Sequence, residues 1–251
     1  MLRFAANLSL LWADLPYLDR FDAAAQAGFA GVEVLFPYDV PAKDTLAALR
    51  AGGLQMVLIN APPPNYTGGT DRGFAAVPEM APRFAHDIRR AFRYAQALGA
   101  QTLHIMAGKA SGPEAHRTFV DNLKLAAAQA PDGLTLTIEP LNQNDQPGYF
   151  LSDFDLAYAI VEEVGAPNLG LQYDSYHAAV IHGDALEVFH RCRPHIRHIQ
   201  IGDAPDRSAP GTGSIDFPAL FAAIEASGYD GWISAEYHPT GRTDASLGWR
   251  P

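Results

Sequence analysis

The feature that most constrains this chain is a rhythm that repeats without repeating its letters. Short apolar, strand-like runs occupy 3–7, 31–36, 55–60, 102–107, 134–140, 169–174, 196–201 and 231–237. Helix-period patterns lie between them, at 18–28, 44–53, 83–99, 113–130, 152–165, 184–192 and 216–228. Several of these patterns end on glycine, the residue that tolerates the left-handed turn closing a helix, and Ser152 and Asp216 are the expected N-caps. Strands alternating with helices predict an α/β chain with a parallel sheet, and eight is the number that closes a (β/α)8 TIM barrel. With 251 residues and no linker or low-complexity tract, the expectation is one barrel domain spanning 1–251. A doubly wound open sheet is the runner-up. It would favour a GxGxxG turn after the first strand, and this sequence has none.

The expected strand ends are Asn7, Leu35, Asn60, Met106, Glu139, Asp174, Gln200 and Glu236. Most are spaced like single βα units, but 46 residues separate Asn60 from Met106. The excess is a Pro- and Gly-rich segment, 61–78, too broken for a helix. It reads equally as an active-site lid or as a plain surface excursion.

Charge narrows the function classes. Lys and Arg number 18 against 28 Asp and Glu, a net charge of −10. Contact with a nucleic-acid backbone or an anionic membrane needs a basic face, so neither partner is expected. No apolar run is long enough to cross a bilayer. The N-terminal stretch is interrupted by Asn7, Asp14 and Pro16 and reads as mature sequence rather than a signal peptide. The lone Cys192 cannot form an internal disulfide, which fits a reducing, cytoplasmic setting, and it reads as a structural residue. Trp12 and Phe36 read as exposed apolar residues serving either a subunit interface or a pocket, so homo-oligomerisation stays open.

Alternation along the later strands sorts residues onto two faces. Leu134, Leu136 and Ile138 oppose Thr135, Thr137 and Glu139. Leu171 and Tyr173 oppose Gln172 and Asp174, and Ile199 and Ile201 oppose His198 and Gln200. Trp232, Ser234 and Glu236 share a face. The polar sets are expected to point inward, joined by Glu33, Asn60 and His104 from earlier strands. Barrel interiors usually hold bulky branched residues, and burying polar groups is costly unless they are paired or ligate a metal. Glu139, Asp174, Gln200 and Glu236 end their strands on the face where barrel active sites lie, so they are expected to share one pocket. Three adjacent carboxylates repel, and a divalent cation relieves that repulsion. Oxygen ligands favour Mg2+ or Mn2+. A lone strand-end glutamate is more often an ion-pair partner than a ligand. Four such residues in phase on consecutive strands are harder to explain that way. Glu33 reads as a buried ion-pair partner or a site residue, His104 as a satisfied core histidine, and His198 as a residue behind Gln200.

These residues lie in segments that make a family resemblance specific: NLSLLWADLPYLDRF, AGFAGVEVLFPYD, TIEPLN, LQYDSYH, HIQIGDAPDRSAPGTGSIDFP and GYDGWISAEYHPTGRTDASLGW. The sequence resembles the xylose isomerase-like TIM barrels, most closely the hydroxypyruvate isomerase family, over nearly its whole length. The resemblance implies that Glu139, Asp174, Gln200 and Glu236 are metal ligands and that Glu139 and Glu236 are the catalytic acid/base pair. Sugar epimerases of the superfamily usually carry His at the third ligand position, so Gln200 favours the hydroxypyruvate isomerase branch. By the same resemblance His177 and Arg207 look like substrate contacts.

The implied activity interconverts hydroxypyruvate and tartronate semialdehyde by proton transfer through an enediolate. A 2-oxo-tetronate isomerase or a ketose 3-epimerase would use the same site. A metal-dependent endonuclease, expected to carry a His-rich zinc cluster and a basic face, and a non-catalytic sugar-binding barrel are the other readings. An anionic substrate entering an acidic protein needs local cations. Lys109, Arg207, Arg242 and a protonated His177 are the candidates, with a solvated loop charge the competing reading for Lys109 and Arg242.

Overall fold

The computed structural model describes residues 2–65 and 72–250. Eight parallel strands form a closed barrel in sequence order: β1 (Arg3–Asn7), β2 (Gly31–Val34), β3 (Gln55–Asn60), β4 (Thr102–His104), β5 (Thr135–Ile138), β6 (Leu169–Asp174), β7 (Ile196–Ile201) and β8 (Trp232–Ala235). β8 pairs with β1, Arg3 opposite Trp232, and so removes the free edges an open sheet would leave. The ring of helices is α1 (Asp19–Gln26), α2 (Ala42–Gly52), α3 (Ala81–Leu98), α4 (Gly112–Gln129), α5 (Phe154–Val164), α6 (Ser175–His182), α7 (Ala185–Cys192) and α8 (Phe217–Ala226). Among the described residues no helix is long and apolar enough to cross a membrane.

The two faces separate as the alternation predicts. Leu136, Ile138, Leu171, Tyr173, Ile199 and Ile201 join the large apolar core between strands and helices. The interior has its own small apolar floor of Ala5, Val57, Leu58 and Trp232. Gly31 makes room for it, since a Cβ there would lie 2.8 Å from the Trp232 ring. Above that floor the interior is polar. Glu33 on β2 meets His198 and Gln200 on β7. These strands are not neighbours, so the bonds can only run through the barrel. Register shifts fall immediately before Glu33 and Gln172, two residues of this interior network.

Several expectations need correction. β2, β4, β5 and β8 stop short of their expected ends, so Glu139 and Glu236 stand one residue beyond their strands. The cap of α5 is Asp153, whose side chain accepts from the Leu156 N–H, rather than Ser152; Asp216 caps α8 as expected. Helices α3 and α5 end at Gly99 and Gly165 in the left-handed conformation. Helix α6 was not anticipated. SYHAAVIH has no clean apolar stripe, and its signals were Asp174 at its start and a left-handed Gly183 at its end. Trp12 is buried, edge-on to Phe29 and bonded through its indole N–H to Asp244. Phe36 is half-buried beneath the Arg72 guanidinium.

The 61–78 segment has its second half tied down. Ala75 and Ala76 donate to the Met106 and Ala107 carbonyls, and Asn122 donates to Ala75 O. Residues 66–71 of the proposed lid lie outside the described residues.

Candidate active site

The candidate site is a buried polar cluster at the C-terminal ends of β5–β8. Asp174 closes β6 and caps α6: its Oδ1 accepts from the Tyr176 N–H at 2.8 Å. That leaves Oδ2 for the pocket, where it accepts from Arg207 at 3.0 Å. Glu236 Oε1 lies 3.0 Å from the same Arg207 Nη2. Glu139 Oε2 accepts from Gln172 Nε2 at 2.9 Å and lies 3.5 Å from His104 Nδ1. Gln172 Nε2 also donates to Gln200 Oε1 at 2.7 Å. The four residues expected to share a pocket are therefore buried and linked through Arg207 and Gln172.

Two carboxylate oxygens, Glu139 Oε1 and Glu236 Oε2, are buried with no hydrogen-bond partner. Burial raises the pKa of all three carboxylates. Glu139 is pushed well above the ordinary range by burial and then by the charges of Glu236 and Asp174. Burial lifts Asp174 to about 6 and Glu236 to about 8, each against the opposing pull of Arg207. Glu33 goes the other way. Burial alone would raise it, but hydrogen bonds from His198 and Gln200 outweigh that and hold it low. It is thus a hydrogen-bond partner of His198, whose Nε2 lies 2.8 Å from its Oε2.

The substrate-contact candidates separate. Arg207 enters the pocket from the loop after β7 with a left-handed φ of 52°, and its buried Nε has no partner. Its loop is organised by Asp203, whose carboxylate accepts from the N–H groups of Ala204, Gly211, Gly213 and Ile215. The His238 N–H grips the Arg207 carbonyl. Gly202 lets this loop approach β8, since a Cβ there would lie 2.8 Å from Glu236 O.

His177, in the first turn of α6, is also buried in the pocket. It is not the protonated cation expected: burial, then Arg207, holds its pKa well below the ordinary value. Its Nδ1 accepts from the Asn142 backbone N–H at 3.1 Å, so the neutral ring carries its proton on Nε2. His104 is only half satisfied. Its Nδ1 bonds Asn60 Oδ1, while Nε2 is buried without a partner. Lys109 is exposed, its backbone bridged to Tyr149, and Arg242 is exposed and paired with Asp244. Cys192 is buried and its thiol is pushed up to about 11, chiefly by burial, as a structural residue should be.

Asn142 and Asp203 escaped sequence reasoning. The only signal for Asp203 was the GTG at 211–213, whose amides it collects; Asn142 had none beyond its place after TIEP.

Ligand atoms of Glu139, Asp174 and His177 lie within 4.8 Å of one another, close enough to share one metal ion. The charge balance fits a divalent cation, because three carboxylates are buried together and the Arg207 guanidinium pairs with two of them, Asp174 and Glu236. The orphaned oxygens of Glu139 and Glu236 fit it too. His177 Nε2, carrying the ring proton, suits a hydrogen-bond donor better than a ligand.

A closed parallel barrel with an acidic cluster at its C-terminal mouth defines a class, and comparison with known proteins places the chain in it. Residues 21–250 match the family described as xylose isomerase-like TIM barrel. The chain belongs to that family, within the hydroxypyruvate isomerase branch, and is an isomerase. It is 44% identical to a 2-oxo-tetronate isomerase from Cupriavidus necator, covering 99% of this chain and 97% of that one. It is 39% identical to a hydroxypyruvate isomerase from Escherichia coli, covering 99% and 98%. A solved structure described as AP endonuclease, family 2, from Brucella melitensis superposes with a TM-score of 0.95 at 40% identity, covering 99% and 98%.

Proposed function

We propose that the protein is a metal-dependent aldose–ketose isomerase acting on a short 3-hydroxy-2-oxo acid, with Glu139 and Glu236 as the proton-transfer pair. Glu139, Asp174, Gln200 and Glu236 would hold Mg2+ or Mn2+. The observation that carries this reading is the pair of buried glutamates, each with one unpartnered oxygen and a pKa raised above the ordinary carboxylate range, to about 8 for Glu236.

Hydroxypyruvate and a 2-oxo-tetronate share one reaction. A proton leaves C3 and another arrives at C2, while the carbonyl moves from C2 to C3. The two substrates differ only in the group on C3. A bound divalent cation would stabilise negative charge on the two substrate oxygens. One glutamate takes the C3 proton and the other supplies the C2 proton, each through its free oxygen. Arg207 supplies cationic N–H groups for the substrate carboxylate, and the His177 Nε2–H is placed to donate to a substrate oxygen. A phosphodiesterase is disfavoured, since the net charge of −10 repels a polyanion. A cytoplasmic enzyme with a small-molecule substrate fits the same reading.

Incubating the protein and Mn2+ with hydroxypyruvate, a 2-oxo-tetronate and neutral ketoses tests the proposal. Turnover of a 2-oxo acid with slow or absent ketose turnover is the expected pattern. Equal turnover of ketoses would replace it with the 3-epimerase reading.

The raised carboxylate pKa values make a separate prediction. Groups whose folded pKa exceeds the unfolded value near 4 stabilise the fold fully only below that value. Their contribution is lost as pH rises through about 6 for Asp174 and about 8 for Glu236. Metal-stripped protein should therefore lose thermal stability steadily from pH 5 to pH 9, by about 2–4 °C for each kcal/mol forfeited. Added Mn2+ should reverse the trend, because it binds the ionised carboxylates. A melting temperature independent of both pH and Mn2+ would mean that the cluster is neither strained nor a metal site.

A further inference from the structure

The interior below the pocket contains a chain of hydrogen bonds that all run one way. Glu33 Oε1 accepts from Asn7 Nδ2 and from Gln200 Nε2, each at 2.7 Å, while Oε2 faces His198 Nε2 at 2.8 Å. Gln200 Oε1 then accepts from Gln172 Nε2, and Gln172 Oε1 accepts from the Thr137 hydroxyl at 3.1 Å. An amide side chain has an oxygen end and a nitrogen end of nearly equal shape, so packing alone does not choose its direction. A carboxylate that only accepts does choose. It draws the Gln200 nitrogen toward itself and turns the oxygen the other way, where Gln172 Nε2 also holds Glu139 Oε2.

We infer that Glu33 is a positioning residue: it orients the Gln200 amide so that oxygen, not nitrogen, faces the metal-binding side of the pocket. The inference rests on Gln200 being a ligand, as in the proposed function. A cation is attracted to an amide oxygen and repelled by the amide N–H2, so a flipped Gln200 would remove a ligand and add two like-charged hydrogens. Glu33 is fully buried on β2, separated from β7 and Gln200 by β8 and β1, and touches none of the three site carboxylates in hydrogen bonds. Its charge also bears on the site directly, since it is among the causes that raise Glu139, Asp174 and Glu236; only its orienting effect passes through Gln200.

The test compares shape with polarity, and its readout is Mn2+ affinity, measured by calorimetry without substrate. Glu33→Gln keeps the shape but adds a donor, which allows Gln200 to flip. Its Mn2+ dissociation constant should rise by about 10-fold or more, the range typical when a residue supporting a metal ligand is lost. Glu33→Asp shortens the side chain but still only accepts, and should lose clearly less. The double variant Glu33→Gln with Gln200→Glu should recover affinity, because a carboxylate at position 200 presents oxygen either way and the amide introduced at position 33 can donate to it.

A purely structural role for Glu33 predicts the reverse order, with Asp worse than Gln and no rescue; that order would overturn the inference. So would wild-type affinity in Glu33→Gln while Gln200→Ala binds weakly. If Gln200→Ala itself binds Mn2+ like the wild type, the ligand assignment has failed and the positioning role goes with it. If Glu33→Gln does not fold, the Asp variant and the double variant still decide the matter: loss in the first with no binding in the second rejects the role.

Discussion

Glu139→Gln and Glu236→Gln are each expected to lower kcat by about 10²- to 10⁴-fold, the usual contribution of a positioned acid or base. Each substitution keeps the shape and one oxygen, but removes the charge and the capacity to carry a proton and puts an N–H2 donor where the second oxygen stood. The raised pKa values matter here. A carboxylate at its ordinary pKa is a weak base for a C–H proton, and burial pushes both glutamates in the direction of greater basicity. Arg207 sets a limit on this, because it lies 3.0 Å from Glu236 Oε1 and opposes the rise.

The two variants should also differ from each other. The glutamate that removes the C3 proton controls solvent exchange, so its loss should abolish washout of deuterium from C3-labelled substrate. Loss of its partner should block product while leaving some washout, since the first proton can still come and go. Mass spectrometry of labelled substrate recovered from H2O reads both. Near-normal turnover in both variants would eliminate the two-glutamate mechanism, and Mn2+ binding retained in both would show that any loss is catalytic.

Much of the fold was legible because its signals are local and additive. β1, β3, β6 and β7 have the boundaries read from sequence. The inward phase of Thr137, Gln172, His198 and Gln200 was legible because strand alternation is strict. The same alternation brought Glu139, Asp174, Gln200 and Glu236 to one end of the barrel. What escaped depends on long-range partners. Nothing local says that Asp174 spends one oxygen capping α6 or that Asp203 gathers four loop amides. The charge state of His177 was misread for a related reason. As a loop residue it would be a plausible cation, but in the first turn of a buried helix, bonded at Nδ1 by the Asn142 N–H and near Arg207, it is held neutral.

On the proposed function, Arg207 is the guanidinium that stands among the site carboxylates and would meet the substrate's negative charge, so its replacement should be a selective change. Arg207→Ala is expected to lower kcat/KM for a 3-hydroxy-2-oxo acid by on the order of 10²- to 10³-fold. That corresponds to the roughly 2–5 kcal/mol lost when one partner of a buried hydrogen-bonded charge pair is truncated. The loss should appear mainly in KM, and neutral ketoses should be affected far less. Its unpartnered, buried Nε would offer the substrate carboxylate a donor that is already desolvated.

Arg207→Lys should recover only part of the loss, because a lysine offers one point of charge where the guanidinium offers a planar fork. Metal affinity separates this role from general damage. Arg207 occupies Asp174 Oδ2 and Glu236 Oε1, so removing it frees two ligand oxygens, and Mn2+ should bind as tightly as before or more tightly. A variant that loses carboxylate and ketose substrates equally, or that loses Mn2+ as well, would show Arg207 to be a structural counter-ion rather than the residue that reads the substrate's charge.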